Sequence, residues 1–221
     1  MPTTLKRIVV AALAAIGSAI AGQTHAATSV CTTPGCPAID LIAPGTDFNS
    51  GRTMGFKFSL TSNMLVTSLG VYDTSGNGLS GEAQVAIWDT AGNELISATI
   101  PSGVAGELSG FFRYKSVSSF SLLAGTQYII GAHSPDRVSS LLLGQGGEGS
   151  IDLNLKLIEA MNSSSVAFSF PGVSSLGGAG GAWLGPNFRM TAPIPEPVTY
   201  QMLVLGLLAV TAVAGRRRKQ G

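Results

Sequence analysis

The chain has 221 residues, 11% of them charged, and a formal net charge of +1. Its basic residues crowd into the two ends: between residues 27 and 192, eleven acidic residues face seven basic ones, a net charge of about −4. A body of that sign, without a basic patch interleaved with aromatics, excludes nucleic acid as a partner, and its length suits one domain able to bury a sizeable core.

At the N-terminus, Lys6 and Arg7 precede an apolar run from Ile8 to Gly22. Thr24-His25-Ala26 then supplies small residues where a signal peptidase reads. Residues 1–26 are expected to be a signal peptide, taken by the Sec translocon and cut after Ala26, so that residues 27–192 form an exported domain. Cys31 and Cys36 enclose Thr32-Thr33-Pro34-Gly35, and Pro-Gly favours a turn between them. In an oxidising compartment this spacing reads as a structural disulfide. Closing so short a loop contributes about 2 kcal/mol or less. A redox pair has the tighter C-x-x-C spacing, and a metal site needs further ligands, which are not nearby in sequence.

The body reads as strands and turns. Phe56, Phe58 and Leu60 alternate with Lys57 and Ser59, and Leu69 and Val71 alternate with Gly70 and Tyr72. Asp73, Ser75 and Asn77 stand at alternate positions before Gly78, like the start of a calcium loop, but Gln84 occupies the twelfth position where a bidentate glutamate is needed. A polar hairpin tip is the simpler expectation. Trp88 sits in an alternating strand that suggests core. Turn clusters at Ala91-Gly92-Asn93, Pro101-Ser102-Gly103, Ala124-Gly125-Thr126, Ser134-Pro135-Asp136 and residues 144–149 punctuate the runs.

Ile151, Leu153, Leu155 and Leu157 alternate with Asp152, Asn154 and Lys156, the cleanest period-two pattern in the chain. Residues 174–181 read as a glycine-rich loop, and Trp183, in the glycine-rich segment 177–185, has two equal readings, an exposed carbohydrate contact and a core residue. Asn187–Thr191 reads as the closing strand. Half-buried runs with turns at short, regular spacing predict an all-β fold, an antiparallel β-sandwich of jelly-roll or immunoglobulin-like type.

No catalytic constellation accompanies that pattern. His133 has Ser134 and Asp136 beside it, but triads meet in space, and three residues crowded into one turn rarely align. No G-x-S-x-G elbow is present, and no cluster of His, Cys, Asp or Glu has metal-ligand spacing. The eleven acidic residues leave open a glycosidase, which needs only two carboxylates about 5–10 Å apart. The domain is expected to be noncatalytic and to need no cofactor or metal.

The C-terminus carries its own instruction. Pro195, Glu196 and Pro197 form a short motif in a 193–197 linker, followed by an apolar segment at 198–215 and the basic residues Arg216, Arg217, Arg218 and Lys219 of a 216–221 tail. A bilayer core of about 30 Å needs roughly 17–25 apolar helical residues, so 198–215 is long enough to span. The basic cluster marks the cytoplasmic side. The two prolines hold the preceding peptide extended and non-helical. This order of motif, span and basic stop resembles the PEP-CTERM sorting signal of Gram-negative bacteria. That resemblance implies processing by exosortase, a membrane-embedded cysteine transpeptidase, and company with exopolysaccharide or biofilm.

The body has a second resemblance. Gly55-Phe56-Lys57-Phe58, Val66–Tyr72, Val85-Ala86-Ile87-Trp88-Asp89, Gly92-Asn93-Glu94-Leu95 and Leu122–Tyr128 are similar to the DUF4082-like β-sandwich family of bacterial surface proteins. The resemblance implies the fold and carries over no catalytic residues. Together these readings predict a noncatalytic surface or extracellular-matrix protein, passing through the inner membrane during sorting. The alternatives are a carbohydrate-binding module displayed at the cell surface and a secreted glycan-active hydrolase.

Overall fold

The computed structural model describes residues 35–45, 47–48, 51–136, 138–141, 146–175 and 181–193. The segment 1–26 expected to be a signal peptide, Cys31, the motif Pro195, Glu196 and Pro197, the apolar segment 198–215 and the cluster Arg216, Arg217, Arg218 and Lys219 lie outside the described residues. Among the described residues no helix is long and apolar enough to cross a membrane, and every regular element is a strand.

In chain order the strands are β1 (Cys36–Pro37), β2 (Ile39–Gly45), β3 (Asp47–Phe48), β4 (Met54–Leu60), β5 (Met64–Tyr72), β6 (Ala83–Asp89), β7 (Glu94–Ile100) and β8 (Glu107–Ser109). They continue as β9 (Phe112–Leu122), β10 (Gln127–His133), β11 (Val138–Leu141), β12 (Gly146–Ile151), β13 (Leu155–Asn162), β14 (Val173–Ser174), β15 (Ala182–Leu184) and β16 (Pro186–Thr191). A five-stranded sheet has the order β1-β16-β5-β9-β8, and a six-stranded sheet the order β14-β13-β4-β10-β6-β7. Smaller sheets, β15-β11-β3 and β12-β2, complete the set.

The two large sheets share one core, as the alternation predicts. Phe56, Phe58 and Leu60 are buried, while Lys57 and Ser59 on the other face of β4 are half-exposed. Phe58 meets Phe188 of the opposite sheet with ring centroids 5.1 Å apart, and Tyr128, its partner across the ladder, at 5.9 Å. Each fully buried ring contributes about 1.5–3 kcal/mol. Asn187, at the head of the closing strand, is completely buried. Its Oδ1 accepts from the amides of Ile39 (3.3 Å) and Phe188 (2.9 Å), and its Nδ2 donates to the Ile39 carbonyl at 2.6 Å. The amide thus acts as a surrogate backbone unit and fastens the first long strand to the last.

Two local expectations are corrected. The alternation from Ile151 to Leu157 is not one strand, because β12 ends at Ile151, β13 starts at Leu155, and the two belong to different sheets. Asp152 turns the chain between them: its Oδ1 accepts from the Asn154 amide (2.8 Å) and Nδ2 (3.0 Å), and its carbonyl accepts from the Leu155 amide (2.9 Å). Asp152 is only 7% exposed and Leu153 is 51% exposed, so the side-chain turn overrides the apolar pattern. Likewise Ser75-Gly76-Asn77-Gly78 is no hairpin tip, since β5 and β6 lie in different sheets. It is a crossover turn, with Gly78 at φ 114°, where a Cβ would meet the Gly103 carbonyl carbon at 2.8 Å.

Candidate ligand cleft

The outer face of the six-stranded sheet is crossed by an irregular strap, residues 163–172, between β13 and β14. Thr53, fully buried at the entrance to β4, staples it down. The Thr53 amide donates to Ser163 Oγ (3.2 Å), its carbonyl accepts from the Ser163 amide (2.8 Å), and its Oγ1 accepts from the Ser169 amide (3.0 Å). Gly131 of β10 clears the space beneath: a Cβ there would lie 2.8 Å from both Pro171 Cγ and Thr53 Cγ2 and 3.3 Å from Trp88 Cζ3. Trp88 is 4% exposed, but it is absent from the core between the sheets. It is covered by Phe168 and Phe170 of the strap, at centroid distances of 5.5 and 6.1 Å. The burial expected of Trp88 is borne out, on the outer face of the sheet and beneath the strap.

Beside the strap lies a cleft of about 470 Å³ lined by β6, β7, β9 and Phe168. Its walls follow from the sheet edges. β7 ends the six-stranded sheet, and β8 pairs with β9 only through Phe112, Arg113 and Tyr114. Opposite β5, the register jumps from Val66↔Phe120 to Ser68↔Ser116, so that β9 carries the excess residues of a bulge along the cleft. Bulges bend a strand and re-aim its side chains, often next to functional sites. Lys115 Nζ donates to the Thr99 carbonyl at 2.9 Å, bridging the two walls. Among the described residues, the lining is rich in hydroxyls (Ser97, Thr99, Ser116 and Ser118), holds the Gln84 amide, and includes no carboxylate. Phe168 is half-buried: one part of the ring packs on Trp88, and the rest faces the cleft.

Trp183 is placed elsewhere. It is 7% exposed and forms a small second core with Met54 and Ala160. Of its two readings the burial favours core over an exposed contact: β15 pairs with β11, with Ser140 opposite Trp183, and the residue is held within a sheet.

The His133 turn does not assemble a triad. His133 Nε2 donates to the Val166 carbonyl of the strap at 3.2 Å, and burial lowers the pKa of the ring. Ser134 Oγ accepts from the Asp136 amide (3.1 Å), while Asp136 Oδ2 accepts from the Ser80 amide (3.0 Å). Three neighbours in sequence thus serve three separate contacts.

The calcium-like stretch is also committed. Asp73 points inward, where its carboxylate accepts from the Gly76 and Gly78 amides, each at 3.0 Å, and from Arg113 Nε at 2.6 Å. Ser75 Oγ is turned to Asn77 Oδ1 at 2.7 Å. Among the described residues, no group of three or more His, Cys, Asp or Glu side chains is placed to hold a metal ion. Cys36 is disulfide-bonded; Cys31, the other cysteine of the chain, is outside the described residues. Phe168 and Phe170 escaped the sequence reading. Their signal was two aromatics at alternate positions in a serine-rich run, Ser163–Pro171, with no strand neighbours to explain them.

Residues 43–141 match the model of a family described as a domain of unknown function, DUF4082. The match supports the DUF4082-like character of the body and extends on both sides of Phe56–Tyr128. It contains both strand walls of the cleft, whereas Phe168 and the strap lie beyond it. No curated protein matches the chain.

Proposed function

We propose that this chain is a noncatalytic exported protein, sorted through its PEP-CTERM-like tail by exosortase and carried at the cell surface or in an exopolysaccharide matrix. The observation that carries this reading is the order of the ends: a leader at 1–26, then Pro195-Glu196-Pro197, an apolar span at 198–215 and Arg216–Lys219. The body is consistent with a passive role. The polar groups that resembled chemistry (Asp73, His133, Ser134 and Asp136) are spent on turns, an internal ion pair and the strap.

Intact-mass measurement and fractionation of the protein from its host, with and without exosortase, tests the reading. A species beginning near Ala27 and ending near Pro195–Pro197, lost when exosortase is deleted, is expected. A species keeping Arg216–Lys219 in both strains overturns sorting and leaves a plain anchored ectodomain. A second reading, a displayed carbohydrate-binding module, is favoured by the hydroxyl-lined cleft beside Phe168. A secreted glycan-active hydrolase has no comparable support.

A further inference from the structure

We infer that the cleft between β7 and β9 binds a short run of an acidic polysaccharide, with Phe168 as the platform for a sugar ring and Lys115 as the cation for a uronate carboxylate. The inference supplies a ligand class and a site for the surface-or-matrix reading. It rests on that reading only for its setting, because binding by purified protein and processing in the host are scored separately.

Four observations converge on this class. First, the cleft volume of about 470 Å³ lies in the roughly 300–1,000 Å³ range of small-ligand sites. Its open sides suit a segment of a polymer, whose ends must leave the site. Second, the lining combines an aromatic ring with hydroxyl and amide side chains. A pyranose presents the same combination, an apolar C–H face and an equatorial belt of hydroxyls, so both kinds of surface find a partner. Third, Phe168 is held before any ligand arrives. Trp88 lies behind it at 5.5 Å, and the Ser169 amide is anchored on Thr53 Oγ1 at 3.0 Å. A fixed platform loses little entropy on binding.

Fourth, the charge is one-sided. Lys115 is exposed, and among the described residues the lining includes no carboxylate, although acidic residues outnumber basic ones across residues 27–192. One of the ammonium's hydrogens goes to the Thr99 carbonyl, which fixes the side chain along the cleft and leaves the others for a carboxylate. Charge-assisted hydrogen bonds of that kind are about twice as strong as neutral ones, so they discriminate an acidic polymer from a neutral one. A stretched peptide added to the β7 edge would use backbone groups and would need neither Phe168 nor Lys115.

The test uses the full chain in mild-detergent micelles, with polygalacturonate and dextran as probes, read by affinity electrophoresis and titration calorimetry. Polygalacturonate is expected to bind at least about tenfold more tightly than dextran, and Phe168→Ala to weaken it about tenfold, as truncation of an aromatic anchor does. Because Phe168→Ala also loosens the strap, Ser97→Trp is the second variant. Ser97 is exposed on the wall, so the indole fills the cleft without touching the core. It is expected to abolish binding with an unchanged melting temperature, and Lys115→Gln to reduce the affinity for polygalacturonate to that for dextran. Failure to bind either polymer, equal binding of both, or full affinity in Ser97→Trp overturns the inference.

Discussion

Arg113 Nε donates to Asp73 Oδ2 at 2.6 Å in a pair almost wholly removed from solvent. The same guanidinium donates to the carbonyls of Gly76 (2.9 Å) and Gly106 (3.0 Å), so one side chain ties β9 to the turn after β5 and to the segment before β8. Removing Arg113 leaves a buried carboxylate with no counter-charge. Arg113→Ala is expected to destabilise the domain by about 3–5 kcal/mol, measured by urea unfolding. Asp73→Asn with Arg113→Met removes both charges and is expected to cost less. Millimolar calcium is expected to leave the wild-type melting temperature unmoved, because the Asp73 carboxylate is already filled.

Asn187 substitutes for a stretch of backbone. In Asn187→Ala the amide and carbonyl of Ile39 lose their partner inside the core, at about 1–3 kcal/mol per buried group. Asn187→Asp turns the donor toward the Ile39 carbonyl into an acceptor and is expected to be at least as damaging. Thermal melting of the two variants checks both.

Gly131 holds the strap close. Gly131→Val is expected to push Pro171 outward, cost about 1–3 kcal/mol through overpacking, and expose Trp88. The readouts are a red shift in tryptophan emission and faster proteolysis within residues 163–172.

Trp183→Ala separates a packing role from a ligand role. The indole fills the small core with Met54 and Ala160, so the expected loss is about 3–5 kcal/mol of stability, seen by calorimetric melting, with polysaccharide affinity retained wherever the domain remains folded.

Acid is expected to act in two steps. Burial lowers the pKa of His133 from its ordinary 6.5. Between the folded and unfolded values the unfolded chain binds more protons, so stability rises with pH across that window and is complete above about 6.5. Glu159 is held low first by its bond from Lys57 and then by Ser174. Its contribution is present above about 4.5 and is lost as pH falls through the depressed value. Urea unfolding across pH 3–8 is expected to show both slopes, and His133→Gln to remove the upper one.

Part of the fold is legible because β4 obeys a simple rule: alternating side chains commit one face to the core, as Phe56, Phe58 and Leu60 do. In β5 the rule lapses after Thr67, and Leu69, Val71 and Tyr72 all enter the core. The failures share a cause. Periodicity says that a residue is on one face of a strand, not what covers that face, so the burial of Trp88 is legible but its cover by Phe168 and Phe170 is not. An Asx turn imitates alternation while reversing it, as Asp152 and Leu153 do. A segment without regular structure has no period at all, which hid Phe168 and with it one wall of the cleft. The cleft itself depends on a register jump between β5 and β9 and on a β8 too short to cover its neighbour, both properties of pairing between distant segments.

The position of β16 has a mechanical consequence. It is not an edge strand; it runs between β1 and β5, with six registered partners along β5 from Pro186↔Val71 to Thr191↔Leu65. Tension entering through the residues after Ala192, against drag on the rest of the domain, meets bonds on both flanks. It must slide the strand along its length instead of peeling it away one bond at a time. Under the proposed display at a surface, a pull on the C-terminal end would therefore load this ladder in shear.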